Sequence, residues 1–348
     1  MKPNIAVIFG GKSPEYPVSL QSAFSILENL DTRKYTVIPI GITREGDWYR
    51  YNGEFGNILN NSWFKDTMNL TPIVISQSRS VGGIVELSEE GIQVTKLDYA
   101  FPVLHGKNGE DGTVQGLFEL AGIQVIGCNT LSSALCMDKD KAHKLVQVAG
   151  IAVPKAVTLR KSTMQEELGA LTELEYPLFV KPVRAGSSFG ITKIYEPSEL
   201  ESAMALAFEY DGEVIIEEAV DGFEVGCAVM GIDDLLVGRV DEIELSYGFF
   251  DYTEKYTLQN SKIHMPARID EVCEKKIQET AKVIYRALGC SGFARVDMFL
   301  TPSGEIVFNE VNTIPGITPH SRYPNMMKGI GLSFAETLDK LVEVYLSK

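Results

Sequence analysis

Short apolar runs alternate with amphipathic segments through the first third of the chain. The apolar runs are rich in β-branched residues, which predicts strands at 5–9, 36–42, 99–104 and 124–126. The amphipathic segments repeat apolar residues at intervals of three and four, which predicts helices at 18–30 and 113–121. Strands that alternate with helices form parallel sheets with helices on their faces. We therefore expect an α/β domain with a parallel sheet over residues 1–128.

Two further units follow, and no low-complexity linker separates them. In the second unit, residues 129–219, apolar patterns predict strands at 154–159, 178–182, 193–195 and 214–218. Helical spacing in the same unit predicts helices at 138–150, 164–174 and 198–208. The third unit, residues 220–348, carries antiparallel strand patterns and a helical segment at 277–288. Three compact α/β units leave clefts between them, where ligands tend to bind.

A β-hairpin is predicted near the C-terminus, with its loop at 301–304. This loop would place Arg295 opposite Glu310 and Asp297 opposite Phe308. Side chains alternate along a strand, so the polar residues of the hairpin would share one face. These residues are Arg295, Asp297, Glu310 and Asn312.

Oxygen ligands beside a guanidinium on one rigid surface suit a Mg²⁺ ion that bridges phosphates. Asp297, Glu310 and Asn312 would supply the oxygens. The alternative is a cross-strand ion pair with solvated neighbours, which is common on exposed sheets.

A second candidate for phosphate binding begins where Lys181 ends an apolar strand. The loop that follows holds Gly186, Ser187, Ser188 and Gly190, whose amides and hydroxyls could surround a triphosphate. It is not a Walker A loop, because no GK[ST] opens a helix here. A plain surface loop is the alternative.

Backbone groups at 217–220 could bind an adenine edge, and Glu224 could hold ribose hydroxyls. The alternative is a solvated acidic strand end. The aromatic, polar stretch at 249–256 interrupts the strand pattern and is predicted to be a lid, in which Lys255 could reach phosphates.

Two N-terminal loops complete the candidate chemistry. Glu15 follows a Gly-Gly turn between the first strand and helix, where it could bind a substrate ammonium or stabilise the helix dipole. The turn lacks the GxGxxG pattern of a dinucleotide site. His105 opens a glycine-rich loop at 105–112 that follows a strand, a position suited to ligand contact. The alternative there is a tight loop in which Asp111 caps the next helix.

Composition narrows the class of protein. The net charge of −15 argues against non-specific binding to nucleic acid or anionic membranes. The cysteines number five, without a CxxC pair, which is typical of reduced thiols in a cytoplasmic protein. The apolar run at the N-terminus is too short for a signal peptide, and none approaches the length of a membrane span. We expect a soluble cytoplasmic protein.

With these segments together, the chain resembles a D-alanine–D-alanine ligase of the ATP-grasp superfamily over nearly its whole length. The resemblance is carried, in order, by GGKSPEYPVSL, HGKNGEDG, MDKDK, VKPVRAGSSFG, FFDYTEKY, ARVDMF and FNEVNTIPGIT. Within the family it is most similar to the VanG-type and VanC-type D-alanine–D-serine ligases. That closer likeness is carried by GFFDYTEKYTLQNSKIHMPARI and SRYPNMM.

The resemblance implies an ATP-grasp fold, with ATP between the central unit (129–219) and the C-terminal unit (220–348). Residues implied to bind ATP are Lys139, Lys181, Ser187, Ser188, Glu217, Ala219, Val220, Glu224 and Lys255. Two Mg²⁺ or Mn²⁺ ions would be held by Asp297, Glu310 and Asn312. The family likeness also suggests a homodimer through the N-terminal unit.

The same resemblance implies roles around the two amino-acid substrates. Glu15 would bind the ammonium of the first D-alanine, and Ser187 and Tyr256 would link the lid to Glu15. His105, Phe250, Ser321 and Arg322 would contact substrates. Arg295 and the Gly316 amide would stabilise an oxyanion.

The identity of the second substrate is a finer prediction. D-Lactate-selective relatives lack the Glu-Lys-Tyr run that ends here at Lys255 and Tyr256, so D-lactate is not expected. Phe250 and Arg322 replace the tyrosine and the apolar residue more usual in D-alanine ligases, which favours D-serine. D-Alanine is the alternative substrate. A nucleotide-binding regulator and an NAD-dependent oxidoreductase are the alternatives from other classes.

Overall fold

The computed structural model describes residues 2–88, 91–163, 168–245 and 261–346. In this part of the chain the strands form three β-sheets. The first sheet has eight strands in the order β6-β5-β4-β3-β2-β1-β7-β8. They are β1 (Asn4–Gly10), β2 (Thr36–Ile42), β3 (Trp48–Tyr51), β4 (Leu70–Ile75), β5 (Gly83–Ser88), β6 (Gly91–Lys96), β7 (Tyr99–Pro102) and β8 (Gln124–Val125).

The first sheet is half parallel and half antiparallel. Strand β1 pairs in parallel with β2 and β7, and β8 pairs in parallel with β7, which confirms the predicted parallel sheet. Strands β3–β6 extend it with antiparallel strands that the sequence pattern did not predict. Their apolar residues are partly exposed, so they lack the continuous apolar run that marks a buried parallel strand. The helices of this unit are α1 (Tyr16–Asn29), α2 (Phe55–Leu59) and α3 (Thr113–Ala121).

The second sheet has four antiparallel strands in the order β11-β10-β12-β9. They are β9 (Ala156–Arg160), β10 (Leu178–Pro182), β11 (Thr192–Ile194) and β12 (Glu213–Glu218). Helix α6 (Leu200–Ala207) packs on this sheet, whereas α4 (Thr130–Met137) and α5 (Lys139–Val148) share a core with the third sheet, described next. Where a helix was predicted at 164–174, residues Leu168–Glu173 form a 3₁₀ helix, and 164–167 lie outside the described residues.

The third sheet has five antiparallel strands in the order β15-β14-β13-β16-β17. They are β13 (Phe223–Gly231), β14 (Leu236–Leu245), β15 (Ser261–His264), β16 (Gly292–Leu300) and β17 (Ile306–Asn312). The remaining helices are α7 (Glu271–Ala287), α8 (Arg322–Lys328) and α9 (Phe334–Leu346). Buried residues of α9 share one core with β1 and α1, so the C-terminal helix packs against the N-terminal unit. Among the described residues, each helix is too short or too polar to cross a membrane.

The hairpin of β16 and β17 has a different register from the predicted one. Arg295 pairs with Asn312, and Asp297 pairs with Glu310, a shift of two residues from the prediction. One residue comes from the turn, where Leu300 pairs with Ile306, and the other from a bulge that interrupts the ladder between Asp297 and Met298. The extra residue on β17 turns Phe308 into the core, where it is fully buried. The predicted pairings were therefore wrong, but the predicted common face of the polar residues is present.

Candidate active site

Two cavities lie side by side, and Glu310 lines both of them. The first, about 430 Å³, lies between the second and third sheets. The second, about 350 Å³, is lined by the N-terminal unit, the loop after β10 and the C-terminal end of β17. A group bound in one cavity can therefore meet a group bound in the other beside Glu310.

Positive charge lines one wall of the first cavity. Lys181 lies on strand β10, and its Nζ is 2.5 Å from Oε2 of Glu217 on the neighbouring strand β12. Burial alone would raise the pKa of Glu217, but Lys181 and then His143 oppose it and the pKa is lowered. Helix α5 begins with Lys139, whose Nζ donates to the carbonyl of Ala185 at 2.8 Å. Two lysines that converge on a cleft suit the charge of a polyphosphate.

The loop after β10 connects the two cavities. Ser187 and Ser188 adopt φ angles of 50° and 58°, in the left-handed region that residues with a side chain rarely occupy. Such backbone strain is concentrated at ligand clamps and other functional sites. Ser188 lines the first cavity, whereas the Ser187 hydroxyl donates to Oε1 of Glu15 in the second. This hydrogen bond holds the loop against the N-terminal unit.

The far end of the first cavity is formed by the segment that follows β12. Ala219 and Val220 line it, as does Glu224 at the start of β13. Glu224 also accepts a hydrogen bond from Nη1 of Arg322 at 3.1 Å. The carboxylate is thus held in place at the cavity wall.

Carboxylates and a neutral histidine line the second cavity. Glu15 is buried, and it comes within reach of the loop at 105–112 because Gly106 has no side chain in the way. Burial lowers the pKa of His105, so the ring is neutral near pH 7, and its Nε2 has no hydrogen-bond partner among the described residues. Burial and the charge of Glu15 raise the pKa of Glu110 to about 8. An excess of carboxyl groups and an unpaired ring nitrogen suit a cationic, hydrogen-bonding ligand.

The predicted metal face forms a compact network. Arg295 donates through Nε and Nη2 to both carboxylate oxygens of Asp297, at 2.8 and 2.7 Å. The Asn312 amide lies 2.8 Å from Asp297 and 3.5 Å from Glu310. Asp297 itself is only 1% exposed and lies behind Arg295, whereas Glu310 and Asn312 line the second cavity.

Arg322 joins this network from helix α8. Its Nε and Nη2 donate to the two oxygens of Asp241 at 2.7 and 2.8 Å, and Nη2 lies 3.4 Å from Asp297. Burial alone would lower the pKa of Arg322, but Asp241 and Asp297 raise it well above its ordinary value. Nearby, the Ser321 hydroxyl contacts that of Thr318 at 2.8 Å and approaches Gly316. The arginine is therefore a fixed charge at the cavity wall.

The structure places the described site candidates on these two cavities, with Asp297 directly behind the wall. On the first are Lys139, Lys181, Ser188, Glu217, Ala219, Val220 and Glu224. On the second are Glu15, His105, Ser187, Arg295, Asn312, Gly316, Ser321 and Arg322, and Glu310 is on both. Phe250, Lys255 and Tyr256 of the predicted lid lie outside the described residues.

Among the polar residues of the site that the predicted set lacked are Glu110 and Asp241. Glu110 was visible as an acid within the glycine-rich loop, but only the fold brings it near Glu15. Asp241 lies in a strand of mixed polarity, and no sequence signal marks it as the partner of a distant arginine.

Comparison with known proteins agrees with this geometry. Residues 4–128 match the family described as D-ala D-ala ligase N-terminus, and residues 145–343 match D-ala D-ala ligase C-terminus. The chain belongs to the D-alanine–D-alanine ligase family. The ATP-grasp fold and the class of ATP-dependent ligase that forms a peptide bond, both expected from the resemblance, are thereby confirmed.

Individual relatives span almost the whole chain. The crystal structure of the VanG D-Ala:D-Ser ligase from Enterococcus faecalis is 67% identical and has a TM-score of 0.94, covering 99% of this chain and 100% of that one. The vancomycin C-type resistance protein VanC1 of Enterococcus gallinarum is 43% identical over 97% of each chain. A putative D-alanine–D-lactate ligase of Streptomyces coelicolor is 45% identical, covering 99% of this chain and 97% of the relative. These names support the predicted likeness to vancomycin-resistance ligases.

Proposed function

We propose that the chain joins D-alanine to D-serine with ATP and supplies D-Ala-D-Ser for peptidoglycan precursors of the vancomycin-resistance type. A carboxylate oxygen of D-alanine attacks the γ-phosphorus of ATP, and ADP leaves. The D-serine amine then attacks the resulting acyl phosphate, loses a proton and expels phosphate. The observation that carries this proposal is the pair of cavities that meet at Glu310.

ATP occupies the first cavity in this proposal. Lys139 and Lys181 contact its phosphates, and the loop that bears Ser187 and Ser188 closes over them, with Lys255 from the predicted lid. The segment 217–220 surrounds the adenine, and Glu224 binds the ribose. The convergence of two lysines on one wall supports this orientation.

The polar face of β16 and β17 fits Mg²⁺ or Mn²⁺. Among the described residues no group of three or more His, Cys, Asp or Glu is placed to hold a metal. Asp297, Glu310 and Asn312 instead offer two carboxylates and an amide, a set that suits Mg²⁺ when substrate phosphates complete the coordination. Two such ions would neutralise charge on the transferred phosphoryl group. The phosphates therefore complete the site in this proposal.

The first D-alanine binds in the second cavity through its ammonium group. Glu15 provides the countercharge, and the Ser187 hydroxyl fixes the orientation of its carboxylate. Tyr256 would complete this link from the lid. Neutral His105, with its unpaired Nε2, is a hydrogen-bonding partner for the substrate carboxylate or its acyl product.

The tetrahedral intermediate forms on the carbonyl carbon that lies between the two cavities. Arg295 and the Gly316 amide stabilise its oxyanion. Asp297 holds the guanidinium by two hydrogen bonds, so its orientation is set before the charge develops.

Selectivity for D-serine rests on Arg322 and its acidic neighbour. An apolar pocket discriminates weakly against an added hydroxyl, but a polar partner can favour it. Arg322 lines the second cavity beside Ser321, and it forms a bidentate pair with Asp241, which is fully buried behind it. Arg322 offers donors to a serine hydroxyl, Asp241 fixes their orientation, and Phe250 would border the same site. The 67% identity to the VanG D-Ala:D-Ser ligase supports the same choice.

The test is phosphate release with D-alanine alone and with D-alanine plus D-serine, with the dipeptides identified by mass spectrometry. We expect predominantly D-Ala-D-Ser when both amino acids are present. D-Ala-D-Ala alone would make the protein an ordinary wall-synthesis ligase. No phosphate release under either condition would overturn the proposal and favour the nucleotide-binding regulator.

We further propose that the enzyme is a cytoplasmic homodimer formed through the N-terminal unit. Paired positions of β4, β5 and β6 place a row of apolar residues on one face. These residues are Val74, Val85, Leu87, Ile92 and Val94, and Ile92 is 75% exposed. An exposed apolar face of this kind is typical of an interface. Light scattering should give twice the chain mass of 38.4 kDa, and Ile92→Asp should give a monomer.

A further inference from the structure

His143 is a buried polar residue that the proposed reaction does not yet use. It lies on α5, one turn after Lys139, and is 5% exposed. Its Nε2 lies 3.0 Å from the carbonyl oxygen of Asn309, and its Nδ1 lies 3.7 Å from Oε1 of Glu217. The ring edge packs against Phe308, with ring centroids 5.4 Å apart. A single imidazole thus lies against both β17 and an acid that lines the first cavity.

The contact with Asn309 falls on the bulge of β17. Asn309 is the extra residue between Phe308 and Glu310, and a bulge leaves the extra residue outside the ladder. A carbonyl oxygen can only accept a hydrogen bond, so Nε2 of His143 must be the donor. The imidazole therefore holds the backbone turn that directs Glu310 towards both cavities.

The contact with Glu217 concerns the second ring nitrogen. In the described part of the chain, neither Nδ1 of His143 nor Oε1 of Glu217 has a hydrogen-bond partner. The other carboxylate oxygen of Glu217 is held by Lys181. When Lys181 turns to a phosphate, His143 remains beside this buried carboxylate, on which the charge of Lys139 also acts.

We propose that His143 is a positioning residue, which fixes Glu310 through the bulge with Nε2 and, as the imidazolium with both nitrogens protonated, orients Glu217 by an ion pair from Nδ1. This rests on the proposed function, because it assigns nucleotide to the first cavity and metal to Glu310. The proposal separates into two contacts, and two amides can imitate them one at a time. A glutamine places its amide where Nε2 lies, and an asparagine places its amide where Nδ1 lies.

The experiment measures binding of a non-hydrolysable ATP analogue by calorimetry, without metal and across a Mg²⁺ titration. His143→Gln keeps the Asn309 contact, so we expect normal Mg²⁺ dependence but about five- to tenfold weaker binding of metal-free nucleotide. His143→Asn keeps the Glu217 contact, so we expect normal binding of metal-free nucleotide. The Mg²⁺ concentration that it requires should be raised by a similar factor. Lys144→Gln is the matched control, because its side chain is 70% exposed on the same helix.

A purely structural role would move both binding parameters together in the two variants, in proportion to the loss of thermal stability. That result, or wild-type behaviour of both variants, would overturn the proposal. Phosphate release by the wild-type enzyme is measured alongside. If the wild type binds the analogue but releases no phosphate with D-alanine, the proposed function fails while the binding data still decide the role of His143.

Discussion

Removal of the Arg295 guanidinium tests the proposed chemistry most directly. In Arg295→Ala the donor assigned to the oxyanion disappears, and loss of one such donor typically costs about 2.7–4 kcal/mol of transition-state stabilisation. We therefore expect kcat to fall by about two to three orders of magnitude in a phosphate-release assay. The KM for ATP should change little, because Arg295 lines the second cavity and not the first.

Arg295→Ala also leaves Asp297 with fewer partners. Arg322 at 3.4 Å and Asn312 at 2.8 Å remain, so the loss of stability should be about 1–3 kcal/mol, below that of a buried charge left alone. Arg50→Ala is the matched control, because Arg50 lies 2.8 Å from Glu86, a buried carboxylate far from the cavities.

The control should lose stability without loss of kcat. Arg295→Lys keeps the charge but not the two hydrogen bonds to Asp297. Its kcat should lie between those of the wild type and the alanine variant. An Arg295→Ala enzyme with near wild-type kcat would refute the oxyanion role.

Three further predictions follow from the second cavity. Ser187→Ala removes a hydrogen bond to the Glu15 carboxylate, so kcat/KM for the first D-alanine should fall about tenfold or more while the KM for D-serine is unchanged; equal effects on both substrates would contradict this. Because the pKa of Glu110 is raised to about 8 from its ordinary 4.5, the folded protein retains a proton that the unfolded chain has lost, and stability falls as the pH rises between these values. Urea unfolding of the wild type and of Glu110→Gln at pH 5 and pH 8 should show the fall in the free energy of unfolding in the wild type alone. An identical fall in both proteins would exclude Glu110 as its source. Arg322→Met should shift the ratio of kcat/KM values towards D-alanine by about tenfold or more, and an unchanged preference for D-serine would exclude its assigned role.

The hairpin illustrates how far a sequence pattern reaches. Strand alternation correctly placed Arg295, Asp297, Glu310 and Asn312 on one face. It could not reveal the bulge at Asn309, since a bulge depends on what packs against the strand. Here Phe308 packs in the core and His143 holds the Asn309 carbonyl, and both contacts come from elements remote in sequence.

The same limit applies to the N-terminal sheet. Its parallel strands were predicted because they are buried on both faces and form continuous apolar runs. Strands β3–β6 were not predicted, since their residues are half exposed and mixed in polarity. Tertiary pairing, and not local pattern, makes them strands.

The sequence by itself determined the class of protein, because short motifs of glycine, lysine and carboxylate occur in the order and spacing of one family of ligases. It also determined that the polar residues of the hairpin share one face, since side chains alternate along a strand. Only the tertiary structure decided which distant groups meet: Glu15 with Ser187, Arg322 with Asp241, and Lys181 with Glu217. These contacts depend on how the sheets pack together, and the energy of a buried charge depends on its partners and not on its place in the sequence.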